Sequence, residues 1–188
     1  MNTFGFLDKK ILMIISRVKF CDEEYISSRQ IIESSGIRCE VASSTTNQAI
    51  GLDGTIVIPD HHINNLDLNI YDAILLLGGV GCREYWHNQF VHKLLNNINL
   101  DEKLICAICL APVILANAGL LKGRRATAHP TAAEYLKYKG VKYSSKPIEL
   151  DRNIITANGP GASNEFANKI TELLESDAIH HNIGEGTL

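Results

Sequence analysis

The stretch Leu104-Ile105-Cys106-Ala107-Ile108-Cys109-Leu110-Ala111-Pro112 decides the fold. Its first five residues are apolar without alternation, as in a strand buried on both faces of a parallel sheet. Pro112 belongs in the first turn of a helix, where its missing N–H is harmless. Cys109 therefore falls on a sharp strand-to-helix turn. Ala107 and Ala111, two residues to either side, are both small. That is the steric requirement of a nucleophile elbow, whose strained backbone leaves no room for bulky neighbours. A thiol there faces the free N–H groups of the helix start, which predicts a lowered pKa and an activated thiolate. The plainer alternative is a buried core cysteine that happens to end a strand.

On either side of this turn, strands and helices alternate. Residues 10–16 read as a buried strand, and Asp22 caps a helix with apolar positions Tyr25, Ile26, Ile31 and Ile32, stopped by Gly36. Residues 37–42 alternate as a second strand, and residues 46–59 read as a small hairpin around Gly51 and Gly54. Residues 73–77 form another buried strand ending in Gly78-Gly79, before a helix with Phe90, Val91, Leu94 and Leu95 on its apolar face. Helices are expected over 112–118 and 132–139 and a strand over 153–157. Gly159-Pro160-Gly161 opens a last amphipathic helix through Leu174. This order implies an α/β domain with a mostly parallel sheet covered on both faces. The chain reads as one domain, 1–188, with its core over about 10–175. From Ser176 on, where His180-His181 lie, no period remains and a mobile tail is expected. Ligands of such sheets sit beyond the carboxyl ends of the strands. The loop after Ser16, the Gly78-Gly79 turn and Cys109 all belong to that edge.

At 188 residues and 45% hydrophobic, the chain can bury a full core. A formal net charge of −3 gives no electrostatic reason to expect nucleic acid or an anionic membrane as partner. No apolar stretch approaches the ~20 residues that span a bilayer. The lysines Lys9 and Lys10 follow a short apolar patch, the reverse of a signal peptide's charge order. Five cysteines form no disulfide framework at this length. A soluble protein of the reducing cytoplasm is expected.

Cys106 and Cys109 spell C-x-x-C, but a strand through Cys106 would hold the two Cα atoms about 10 Å apart. A disulfide needs roughly 4.4–6.8 Å, so Cys106 reads as core. Asp22, Glu23 and Glu24 crowd the loop after the first strand. They are either favourable partners of a helix start, or one of them is buried and protonated against the cysteine, and spacing does not choose which. His129, in Ala128-His129-Pro130, is a candidate base or positioner for Cys109, or a loop histidine without a role. An N–H from Gly78-Gly79, with that of Leu110, would make an oxyanion hole; the alternative is an ordinary turn. Neither a dinucleotide fingerprint nor a Walker pattern is present, and no cluster has metal-ligand spacing, so no cofactor or metal is expected.

Through these residues the chain resembles the PfpI (ThiJ/PfpI) superfamily from Lys10 to about Leu174, and within it the Parkinson's-associated protein deglycase branch. The motifs are Glu24, Ser35-Gly36-Ile37, Leu77-Gly78-Gly79, Ala107-Ile108-Cys109-Leu110-Ala111-Pro112, Ala128-His129-Pro130 and Gly159-Pro160-Gly161-Ala162-Ser163. The resemblance implies a flavodoxin-like three-layer sandwich and a homodimer. It makes Cys109 the reactive residue and Glu24 the protonated acid bonded to its sulfur. It matches Gly79 and Leu110 to the oxyanion donors and His129 to the nearby histidine. PfpI-type peptidases carry a histidine directly after the cysteine, where this chain has Leu110. Isocyanide-hydrating relatives use an aspartate in place of Glu24, and Cys21-Asp22-Glu23 stands where relatives often have Gly-Ala-Glu.

The leading expectation is a cofactor-free chemistry on small reactive carbonyls or glycated proteins, of glyoxalase or deglycase type, through a Cys109 thiolate. An oxidative-stress sensor or chaperone using Cys109 oxidation is the alternative. A cysteine peptidase or amidase is the third reading.

Overall fold

Residues 9–98 and 103–176 are described by the computed structural model. In chain order they form β1 (Lys10–Ile14), β2 (Val18–Phe20), α1 (Asp22–Ser34), β3 (Arg38–Ser43), β4 (Ala49–Gly51), β5 (Ile56–Val57) and β6 (His61–His62). Then come β7 (Ala73–Leu76), α2 (Gln89–Asn96), β8 (Leu104–Ile108), α3 (Pro112–Asn117), β9 (Arg125–Ala126) and α4 (Ala133–Tyr138). The last elements are β10 (Lys142–Tyr143), β11 (Ile148–Asp151), β12 (Ile154–Ala157) and α5 (Ser163–Glu175).

Seven strands build the central sheet in the order β11-β12-β8-β7-β1-β3-β6. All neighbours are parallel except the β11–β12 hairpin. β1, β7 and β8 lie in the middle, buried on both faces, which is why their sequences do not alternate. α1 packs on α5, and α3 packs on both α2 and α4, giving two helical layers with the sheet between them. The architecture is the flavodoxin-like α/β sandwich expected. From β1 the chain moves outward to β3, then returns to place β7 on the other flank of β1. That reversal opens a crevice at the carboxyl ends of β1 and β7, the place where such sheets bind ligands.

Several local expectations are corrected. Cys21, not Asp22, is the N-cap of α1. The loop after Ser16 contains β2, which pairs with β4 and so extends the β4–β5 hairpin to three strands. Ile26 and Phe90, expected on buried helix faces, are exposed, while Tyr25, Ile32, Val91 and Leu95 are buried. A 3-10 turn over Pro130–Ala132 precedes α4, and another over Pro160–Ala162 precedes α5. The mobile tail expected beyond Ser176 falls on residues 177–188, outside the described residues.

Across the small three-stranded sheet, Val18 pairs with Ile50 and Ile50 with Ile56. This row of apolar side chains is 46%, 42% and 59% exposed, and Leu52 and Ile58 beside it are also exposed. No helix among the described residues is long and apolar enough to cross a membrane.

Candidate active site

β8 delivers Cys109 directly onto the start of α3. The residue has φ of +62°, one of three positive values at non-glycine positions among the described residues. Such a conformation costs an L-residue about 1–3 kcal/mol and persists only where its surroundings over-determine it. Here they do. The Cys109 N–H donates to the Ala157 carbonyl of β12 at 2.9 Å, and its own carbonyl accepts from the His129 N–H at 2.7 Å. Ala107 and Ala111, the small residues on either side, are completely buried.

Opposite the cysteine lies the turn after β7. Gly78 must be glycine: a Cβ there would sit 2.6 Å from the Cys109 Cβ and 2.8 Å from the Glu24 Oε2. Gly79 has φ of +90°, and a Cβ on it would meet the Lys19 carbonyl oxygen at 2.5 Å. The Gly79 N–H lies close enough to the Cys109 sulfur to favour its thiolate. Leu110, the buried residue after the cysteine, has an N–H that donates to no acceptor among the described residues. An oxyanion hole needs backbone donors of this kind, and Gly79 supplies one beside the sulfur.

The three adjacent carboxylates part company in the first turn of α1. Asp22 turns to the β4–β5 hairpin, where its Oδ2 accepts from the Asp53 N–H at 2.9 Å and its Oδ1 from the Thr55 N–H at 2.8 Å. Glu23 is exposed. Glu24 is 0% exposed and turns inward; its Oε2 accepts from the Gly78 N–H at 2.8 Å. Its Oε1 meets no partner in hydrogen-bond geometry, although the carboxyl interacts with the thiols of Cys109 and Cys21. Burial pushes the Glu24 pKa up to about 7, against the lowering effect of the Gly78 N–H.

The expectation of a lowered thiol pKa at Cys109 is corrected. Burial pushes the thiol up and the charge of Glu24 pushes it further, outweighing the Gly79 N–H. Thiol and carboxyl share one enclosed space, so their titrations are coupled and the pair gives up its first proton as a unit. A protonated Glu24 removes the repulsion that disfavours the thiolate.

His129 is held close through its backbone only. Its Nδ1 lies 2.8 Å from the Thr131 hydroxyl and accepts from the Thr131 N–H at 3.3 Å, so the ring caps the turn that begins α4. The structure gives it no hydrogen bond to the Cys109 sulfur. Cys106 is a fully buried residue of β8, as expected, and Cys82, also fully buried, lies near the Glu24 charge. Among the described residues no three His, Cys, Asp or Glu side chains are grouped to hold a metal ion.

Two participants escaped the sequence reading. Cys21, seen only as a departure from relatives, borders the site. Gly81 lets the turn lie against β2, since a Cβ on it would fall 1.7 Å from the Val18 carbonyl oxygen. Its signal was the repeated small residue in Gly78-Gly79-Val80-Gly81.

A buried carboxyl against a cysteine on a left-handed strand-to-helix turn is a specific arrangement, and the model of the DJ-1/PfpI family matches residues 9–173. The chain belongs to the DJ-1/PfpI family. It is 30% identical to a glutathione-independent glyoxalase of Caenorhabditis elegans over 152 residues, 81% of each chain. It is 28% identical to a deglycase of Thermococcus kodakarensis over 163 residues, 87% of this chain and 98% of that one. A ThiJ/PfpI domain protein from Brachyspira murdochii superimposes with a TM-score of 0.86 at 30% identity, covering 92% of this chain and 99% of that structure. The fold and family expected from the motifs are those found.

Proposed function

We propose that this DJ-1/PfpI chain is a cytoplasmic, cysteine-dependent enzyme acting on small reactive carbonyls, of the glutathione-independent glyoxalase or deglycase type. The observation that carries this reading is Glu24, a fully buried carboxyl with its pKa near neutrality, seated against the Cys109 thiol. An acid poised near the working pH both donates and accepts protons efficiently.

Cys109 sulfur adds to the aldehyde carbon of methylglyoxal. The C–S bond forms as the carbonyl π pair moves onto oxygen, which takes up a proton to give a hemithioacetal. Gly79 and Leu110 are the N–H donors available to that oxygen. Glu24 takes the proton from the former aldehyde carbon and returns it to the neighbouring ketone carbon, while the hydroxyl proton on the former aldehyde carbon passes to the ketone oxygen. One carbon is oxidised and its neighbour reduced, leaving lactate bound as a thioester. Water cleaves the thioester and restores the thiol. The balance is one methylglyoxal and one water to one lactate, with no outside electron carrier. On a glycated thiol or amine the adduct first expels the protein group, which leaves with the hydroxyl proton and restores the aldehyde, and Cys109 then attacks that aldehyde as before; this is deglycase chemistry. His129 acts through its backbone bond to Cys109, as a positioning residue.

The same reading includes a homodimer. An exposed apolar row on a small sheet is the kind of surface a second copy covers, and Val18, Ile50 and Ile56 form one.

The test is lactate formation from methylglyoxal without glutathione. Cys109→Ser should abolish turnover, and Glu24→Gln should lower it by about 10²–10⁴-fold. Full turnover in Cys109→Ser would overturn the mechanism. A well-folded wild type without turnover would shift the reading to oxidation sensing.

A further inference from the structure

A second thiol borders the reactive one. Cys21 and Cys109 flank the same two-glycine turn. The Cys21 N–H donates to the Gly78 carbonyl at 3.2 Å, and a Cβ on Gly79 would lie 2.6 Å from the Cys21 nitrogen. On the other flank, a Cβ on Gly78 would lie 2.6 Å from the Cys109 Cβ. The turn between the two cysteines therefore carries no side chain. The buried Glu24 carboxyl, whose Oε1 is without a hydrogen-bond partner, interacts with both thiols. Cys21 is half-buried and reachable, whereas Cys82 and Cys106 are completely enclosed.

We propose that Cys21 is the resolving thiol of Cys109, closing an intramolecular disulfide after Cys109 has been oxidised by a hydroperoxide. This rests on the reading of Cys109 as a reactive thiol. In the first step Cys109 sulfur attacks the terminal oxygen of the hydroperoxide. The O–O bond breaks, the peroxide is reduced to an alcohol or water, and the sulfur becomes a sulfenic acid. In the second step Cys21 sulfur attacks the Cys109 sulfur. The S–S bond forms and the S–OH bond breaks. Glu24 accepts the Cys21 proton and returns one to the departing hydroxide, which leaves as water. A dithiol then restores the starting state. The consequence is protection: a sulfenic acid trapped as a disulfide is withdrawn from irreversible oxidation to the sulfinic acid.

The experiment is mass spectrometry of the full chain after graded hydrogen peroxide, under non-reducing conditions, for wild type, Cys21→Ala and Cys82→Ala. Iodoacetamide labelling of Cys109 is followed in parallel. Wild type and Cys82→Ala should yield a Cys21–Cys109 cross-linked peptide pair that a dithiol reverses. Cys21→Ala should instead accumulate Cys109 sulfinic acid several-fold faster. Sulfinic acid forming at equal rates in wild type and Cys21→Ala, or a Cys82–Cys109 bond, would overturn the proposal while leaving Cys109 reactive. A Cys109 inert to both peroxide and iodoacetamide would overturn the proposed function as well.

Discussion

Glu24 and Gly78 are joined by a hydrogen bond of 2.8 Å that occupies one oxygen of a fully buried carboxyl, leaving the other to face sulfur. The arrangement sets function against stability. Burial raises the Glu24 pKa from 4.5 to about 7, so between those values the folded state binds more protons than the unfolded one. Stability therefore falls as pH rises through this window, and the penalty is fully present above it. Glu24→Gln keeps an acceptor for the Gly78 N–H and carries no charge. It should be more stable than wild type at pH 8, by up to about 3 kcal/mol, while the advantage vanishes near pH 4. Urea unfolding at the two pH values measures this; an equal difference at both would show that ionisation is not the cause.

Gly78 should tolerate no side chain. In Gly78→Ala the added Cβ meets the Cys109 Cβ and the Glu24 carboxyl, the first fixed by the backbone bonds to Ala157 and His129 and the second by burial. Overpacking of this kind costs about 1–3 kcal/mol. Thermal unfolding should register that loss, and Cys109 alkylation should slow in the protein that remains folded.

Asp22 anchors a hairpin and stands outside the chemistry. Its carboxylate is raised by burial but brought below its ordinary value by the N–H groups of Asp53 and Thr55. The stability it contributes is present above the unfolded pKa and is lost as pH falls through the lower folded value. Asp22→Asn should cost about 1–3 kcal/mol at pH 7 and progressively less in acid. Alkylation of Cys109 in the folded variant should proceed at the wild-type rate; a large drop would place Asp22 in the site after all.

The exposed row across β2, β4 and β5 should govern assembly. Ile50 is its central member, paired on both sides. Light scattering after gel filtration should give a dimer for wild type and a monomer for Ile50→Asp. A monomeric wild type would remove the dimer from the proposal.

The turn at Cys109 was legible because every signal in it is local: a non-alternating strand, two small neighbours and a proline at N1 of α3. The Gly78-Gly79 turn was legible for the same reason, as a pair of glycines ending a buried strand. The carboxylates were not resolved by spacing. Successive helical residues point about 100° apart, and only the packing of α1 sends Asp22 to the hairpin and Glu24 to the sulfur. β2 escaped notice because three residues with two exposed side chains carry no period. The direction of the Cys109 shift was missed for a physical reason. A helix start can be read from sequence, but the depth of burial and the nearness of a second charge belong to the fold, and here they outweigh the dipole.

The backbone tethers of Cys109 reach further than the site. Its N–H is pinned to Ala157 on β12 and its carbonyl to His129 before α4, segments distant in the chain. The unusual φ endures only while both clamps hold. On the proposed function, the reactivity of this one sulfur is therefore a gauge of the sheet's integrity: a disturbance that slackens β12 or the His129 segment lets the turn relax to an ordinary conformation and carries the sulfur away from Glu24. Chemistry at Cys109 would fade before the molecule as a whole unfolds.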